Sequence, residues 1–192
     1  ASFGVTVRQA VKRGAKLVVI SNKPQSQEAK EADIFVNADS TESLKAILKA
    51  LVEKGCTAEG IDALNVSLKD TVVTDDAIKV CEMLLDKNNK KAVIVTDQFS
   101  TSYECAKAAA DIAVLSGHIG SPRDGIMQIK TNVNTQSVAD FGITPSCLVK
   151  DKFADGTIKA LLTIGENPVN FDLEKVEFVA VCDTYLTETA QK

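Results

Sequence analysis

Gly14-Ala15-Lys16-Leu17-Val18-Val19-Ile20 decides the fold. After the lysine come four apolar residues, three of them β-branched, with no polar residue interleaved. A strand with one solvated face alternates apolar and polar residues, whereas an unbroken run of this kind is what a strand covered on both faces looks like. The same signature recurs at Ala92-Val93-Ile94-Val95, at Lys159-Ala160-Leu161-Leu162-Thr163-Ile164 and at Phe178-Val179-Ala180-Val181, with a shorter copy at Ile34-Phe35-Val36. Five buried strands are expected.

Between these runs the period becomes helical. Leu44, Ile47, Leu48, Leu51 and Val52 fall on one face, and Ala77, Val80, Cys81, Leu84 and Leu85 repeat the spacing. Thr101 followed by Glu104 has the spacing of a capping box and is expected to open a helix through Cys105, Ala109, Ile112 and Leu115. Lys54-Gly55 and Gly117 supply helix stops. Strands alternating with such helices imply parallel pairing through right-handed crossovers, hence an α/β three-layer sandwich with a mainly parallel, doubly wound sheet. From Gly117 to Pro145 the periodicity fails, and a long excursion without a clear element is expected to leave the first sheet for a different packing unit. The division is residues 1–130 as a Rossmann-like α/β cofactor-binding unit and residues 131–192 as part of a second α/β unit, the two being able to pack as one domain in isolation.

The composition excludes several classes. With 192 residues, 45% hydrophobic, 25% charged and a net charge of -4, the chain can bury a core and has no basic stripe for nucleic acid. Its longest apolar runs fall far short of the roughly 20 residues of a membrane span, and nothing at Ala1 to Val11 has the layout of an export signal. Cys56, Cys81, Cys105, Cys147 and Cys182 form no CxxC pair, so no local zinc or cluster site is expected. They read as reduced, small core hydrophobes of a cytoplasmic protein.

The stretch from Ala109 to Gly142, AADIAVLSGHIGSPRDGIMQIKTNVNTQSVADFG, is less generic. It resembles a segment of the molybdopterin oxidoreductase family, that of formate dehydrogenase alpha subunits and the large iron-sulfur subunit of NADH dehydrogenase. There a helix ends in Leu-Thr-Gly-Asn-Ile-Gly, followed by Pro, Gly-Val, an Asn-Gln-rich loop and Asp-Met-Gly. Ser116 to Gly120, Pro122, Gly125-Ile126, Asn134, Gln136 and Asp140-Phe141-Gly142 fall in that register. Gly14 to Ile20 with Glu28 to Asp33 is similar to the family's first strand and the helix leading to an Ala-Asp step. Ile164-Gly165-Glu166-Asn167-Pro168 and Thr187-Glu188-Thr189-Ala190 resemble its Gly-Glu-Asn-Pro turn and Thr-Glu-Thr-Ala stretch.

The resemblance implies a formate dehydrogenase/DMSO reductase-like fold and a molybdopterin guanine dinucleotide in the parent protein, with none expected bound to this segment. It places the family's metal-ligating Cys or Ser and the cluster cysteines ahead of the matched region. The chain therefore reads as a non-catalytic internal segment, inactive alone, of an oxidoreductase of formate dehydrogenase or NADH dehydrogenase type. Its expected partners are the rest of its polypeptide and other subunits of a redox complex, with no nucleic acid and no direct membrane insertion. The expected location is the cytoplasm or, through such a complex, the cytoplasmic face of the membrane. The sequence also departs from the pattern. Lys130 stands at the position of the family's substrate arginine and keeps its charge but not its bidentate fork. Ser21-Asn22-Lys23 replaces Asp-Pro-Arg, and Asn37-Ala38-Asp39-Ser40-Thr41 replaces Arg-Pro-Gly-Thr-Asp. These losses resemble the pterin-free NADH dehydrogenase branch. A third reading, a generic nucleotide-binding α/β domain like the central one of thiamine-diphosphate enzymes, accounts for Gly14 to Ile20 but not for Gly117 to Gly142.

Ligands in open α/β sheets bind at the carboxyl ends of strands. Three loops qualify: Ser21 to Gln25, Asp97 to Thr101, and Gly165 to Val169. In the first, Ser21, Ser26 and Lys23 suit a phosphate; the competing reading is a capped turn with Pro24 in the first helical turn. In the last, Gly165 permits close approach, Glu166 can accept from a guanine edge, and Asn167-Pro168 shapes the turn, against an ordinary strand-to-helix turn. Asp97 to Thr101 reads as the helix cap. Asn134 and Gln136 are candidate cofactor contacts through the resemblance alone. His118, the single histidine, reads as a loop residue bonding to backbone.

Overall fold

The structure, a computed structural model, describes residues 2–88, 91–97, 101–143 and 149–191. Gln98, Phe99 and Ser100 of the second candidate loop lie outside the described residues, as do Thr144, Pro145 and Cys147. The chain divides into two units, Ala1–Thr131 and Asn132–Lys192.

The first unit holds α1 (Ser2–Lys12), β1 (Val18–Ile20), α2 (Gln27–Glu31), β2 (Ile34–Val36), α3 (Ser40–Glu53), α4 (Ile61–Ser67), α5 (Asp75–Leu85), β3 (Val93–Asp97), α6 (Tyr103–Leu115) and β4 (Gly125–Ile129). The second holds α7 (Thr135–Asp140), α8 (Lys150–Ala154), β5 (Ala160–Ile164) and β6 (Phe178–Cys182). The architecture is mixed α/β. Its strands form three parallel pairs, β1 with β2, β3 with β4 and β5 with β6.

The first unit's core is helical. α3 presents Leu44, Ile47, Leu48 and Leu51 to α5 and α6, which contribute Ala77, Val80, Cys81, Cys105, Ala109 and Ile112. Asp39 caps α3 by accepting from Thr41 N and Glu42 N, and Thr74 caps α5 by accepting from Ala77 N. Lys54 closes α3, and Gly55 follows at φ 87°, a left-handed angle that favours glycine. In the second unit Phe153 and Leu173 are buried, and the Phe153 and Phe171 rings sit 5.2 Å apart.

Several expectations are corrected. α6 is capped by Ser102, whose hydroxyl accepts from Cys105 N, while Thr101 instead accepts from Asp97 N at 3.2 Å. A Thr-x-x-Glu spacing cannot distinguish adjacent hydroxyls, and backbone geometry selects the second. Pro24 lies in the turn before the N-cap Ser26, not in the first turn of α2. The excursion after Gly117 contains β4 and α7; β4 carries a glutamine and owes its existence to non-local pairing with β3. Nor are the strands buried on both faces: Val93, Val95, Met127, Leu162, Ile164 and Phe178 are exposed, because each sheet has only two strands and limited cover. Of the described cysteines, Cys81 and Cys105 are buried, where desolvation raises both thiol pKa values, but Cys182 is exposed on β6.

All three strand pairs begin alike. A lysine precedes the first strand and an acid immediately precedes the second: Lys16 with Asp33, Lys91 with Asp124, and Lys159 with Glu177, at 2.9, 4.0 and 3.0 Å. In the first two pairs the carboxylate also accepts a backbone N–H, from Leu17 at 2.8 Å and from Ala92 at 2.9 Å. The Leu17 N–H and then the Lys16 ammonium hold the Asp33 carboxyl below the usual carboxylate range. For Asp124 the Ala92 N–H leads, with His118 behind it. A carboxyl depressed in the folded state contributes stability that is present above its unfolded value, about 3.9, and lost as pH falls through the folded value. The first unit is therefore expected to weaken as pH drops below about 4, and Asp33→Asn with Asp124→Asn should flatten that dependence. Urea unfolding followed by circular dichroism across this range checks it; an unaltered slope in the double variant contradicts it.

Candidate functional site

Most of the candidate residues lie at the carboxyl ends of strands, and the structure gathers only some of them. At the end of β1, Ser21 continues the pairing by donating its N–H to Val36 O at 3.1 Å, and its hydroxyl accepts from Lys23 N at 3.1 Å. Ser26 accepts from Ala29 N as the α2 cap. Both hydroxyl oxygens are thus engaged locally, and the exposed Lys23 ammonium has no partner among the described residues. At the end of β4, Lys130 donates to Gln128 Oε1 at 2.5 Å, so its charge is held by a neighbour two residues away.

Asn134 and Gln136, expected in a loop, stand at the start of α7. Asn134 makes no capping bond, and Gln136 donates to Asp140 at 2.7 Å. No hydrogen bond joins them to Gly165–Pro168 among the described residues. That turn is the better built part. Gly165 (φ 65°) donates to Cys182 O at 2.9 Å, anchoring the end of β5 to the end of β6. The Asn167 side chain then makes three bonds across the edge: its amide donates to Glu188 Oε2, and its Oδ1 accepts from Thr189 N at 3.2 Å and Thr189 Oγ1 at 2.8 Å. Thr189 is buried. The Glu188 backbone N–H, followed by Asn167, lowers the Glu188 carboxyl. Two stretches read separately in the sequence, Gly165–Pro168 and Thr187–Ala190, therefore form one assembly. Glu166 is left exposed at its rim and without an ion pair among the described residues.

Asn167→Ala removes all three bonds and leaves the buried Thr189 hydroxyl unpartnered. At about 1–1.5 kcal/mol per lost net bond, exchange of the Thr189 amide should speed up by at least about tenfold. Hydrogen-exchange mass spectrometry reads this directly, and unchanged exchange would mean that the two stretches are held together by other contacts.

Two features escaped the sequence. A cleft of about 400 Å³ opens at the carboxyl end of β2, lined by Asn37, Ser43, Thr74 and the acids Glu42, Asp70 and Asp76. Helix starts favour anions, but Asp39 and Thr74 already take the first N–H groups of α3 and α5, and the acidic lining disfavours phosphate. The second is a buried triad. His118, 6% exposed, points Nδ1 at Asp124 Oδ1 (3.1 Å) and Nε2 at Leu84 O (2.9 Å). The backbone bond fits the sequence reading, whereas nothing in the Ser116–Asp124 spacing flagged the carboxylate.

The architecture is thus of the α/β class, with small parallel sheets. No family model matches the chain. It is 23% identical over 248 residues to the F420-dependent formate dehydrogenase subunit alpha of Methanocaldococcus jannaschii, a match covering 96% of this chain and 37% of that protein. It is 22% identical over 247 residues to the F420-dependent formate dehydrogenase 1 subunit alpha of Methanococcus maripaludis, covering 96% and 36%. Along nearly its whole length the chain is similar to these formate dehydrogenase alpha subunits. It spans little more than a third of the length of these relatives. No helix among the described residues is long and apolar enough to cross a membrane.

Proposed function

We propose that the chain is a non-catalytic internal segment of a redox-enzyme subunit. Its α/β units form walls around a molybdopterin guanine dinucleotide site in an oxidoreductase such as a formate dehydrogenase. The observation that carries this reading is the Asn167 assembly, which rigidifies the Gly-Glu-Asn-Pro turn at the carboxyl edge of β5 and β6 and leaves the exposed Glu166 carboxylate without an ion pair among the described residues. The names of the two relatives favour it over the pterin-free NADH dehydrogenase alternative.

The donor set fits such a cofactor in chemistry. Taken unit by unit, a carboxylate at Glu166 in the second can accept the adjacent N–H groups of a guanine edge, and in the first the Lys23 ammonium with the Ser21 and Ser26 hydroxyl hydrogens suits a phosphate. The bound cofactor supplies the redox chemistry. This chain's residues hold and orient it, and Lys130, tied to Gln128, is the weakest candidate for contact with substrate. In the assembled protein the strand pairs extend into a three-layer, doubly wound sheet. The partners are the rest of the polypeptide and other subunits of a cytoplasmic redox complex.

Glu166→Gln in the full-length protein exchanges a charge-assisted contact, about 1.5–3 kcal/mol, for a neutral one, and pterin retention should fall by about tenfold or more. Pterin content of the purified variant decides the matter. Unchanged occupancy leaves Glu166 as a turn residue and removes the support for the cofactor wall.

A further inference from the structure

The β5–β6 sheet is apolar on both of its faces. Its register, Ala160 beside Phe178, Leu162 beside Ala180 and Ile164 beside Cys182, sets these six residues on one face, with Leu161, Thr163, Val179 and Val181 on the other. The second face is covered: Thr163 is 6% exposed and the three aliphatic residues are half-buried. The first is bare, with Leu162 at 65%, Ile164 at 69%, Phe178 at 65% and the Cys182 thiol exposed. Parallel sheets are found with both faces covered, because helical crossovers lie across them. Here residues 165–177, which connect the two strands, contain no helix.

We propose that the Leu162–Ile164–Phe178 face is the docking surface for one amphipathic helix of the longer polypeptide to which, on the reading above, this chain belongs. The dimensions select a helix. Two strands about 4.8 Å apart and five residues long make a strip roughly 16 Å in length, which a helix about 10 Å across covers in about three turns. The face carries no charge, and its amino edge is bounded by the Lys159–Glu177 ion pair, so the occupant presents an aliphatic stripe with polar flanks. The relatives have chain available for this. They extend far beyond the matched part, which covers 37% of the first.

Cys182 is a native reporter of the face. Maleimide labelling followed by peptide mass spectrometry should modify it readily in the 192-residue chain and at least about tenfold more slowly in the full-length protein. Leu162→Lys should restore fast labelling in the full-length protein while leaving the circular dichroism of the 192-residue chain unchanged. Equal rates in the two proteins overturn the proposal. So does slow labelling in the 192-residue chain, which would mean the face is already covered. A concentration-dependent dimer of that chain, abolished by Leu162→Lys in sedimentation, would assign the face to a second copy and also overturn it. Pterin content measured on the same full-length samples separates this idea from the cofactor reading: protected Cys182 without pterin supports docking and sinks only the latter.

Discussion

His118→Ala is expected to destabilise the first unit by about 2–4 kcal/mol, because it removes a buried side chain that bridges two part-buried oxygens. Asp124 Oδ1 and Leu84 O both face the ring, and neither can donate to it. In either tautomer a ring nitrogen donates to one of them, the carboxylate or the carbonyl. The triad joins the last turn of α5 to the segments entering β3 and β4, since Asp124 also accepts from Ala92 N. Its loss should loosen three elements together. His118→Asn, the residue found at this place in the family motif, keeps an amide donor and should recover part of the loss. Urea midpoints of the three proteins provide the comparison, and a loss below about 0.5 kcal/mol in His118→Ala, the range of ordinary surface changes, would show the triad to be incidental.

Leu51→Ala should cost about 3–5 kcal/mol. Leu51 is 0% exposed at the centre of α3, where α5 and α6 both pack, and their close-packed side chains can relax only partly into the vacated space. Leu162→Ala, the same chemical change on the bare face of β5, should fall within about 0.5 kcal/mol in this chain. Thermal unfolding of the pair tests whether the core really lies in the helices; equal losses would place it elsewhere.

The helices were legible because their signal is local. Leu44, Ile47, Leu48 and Leu51 repeat at the helical period, and Asp39, Thr74 and Lys54-Gly55 mark the ends. Strand positions were legible for the same reason, through runs such as Val18-Val19-Ile20. Cover was not legible, since an unbroken run records that a strand suits burial on two sides and not which partner supplies the second. β4 was missed because Gly125-Ile126-Met127-Gln128-Ile129 lacks a β-branched run and is made a strand by β3, more than thirty residues earlier in the chain. At the candidate site, the motif reading placed Gly165–Pro168 and Thr187–Ala190 individually. Their union through Asn167 is a long-range hydrogen-bond fact that spacing cannot encode. The carboxylate under His118 was hidden likewise, six residues from the histidine with nothing periodic between them.

The matched lysine and acid at the start of every strand pair bear on the order in which the chain comes together. The Leu17–Asp33 and Ala92–Asp124 contacts close loops of 16 and 32 residues. Doubling a loop adds only about 0.6 kcal/mol of closure entropy, less than one charge-assisted bond returns. Pairing can therefore nucleate at each of these ends and zip toward the other. The last rungs to form, and the first to fray, are then those beside Ser21 and Lys130, whereas the carboxyl end of β5 and β6 is held a second time by the Asn167 bonds.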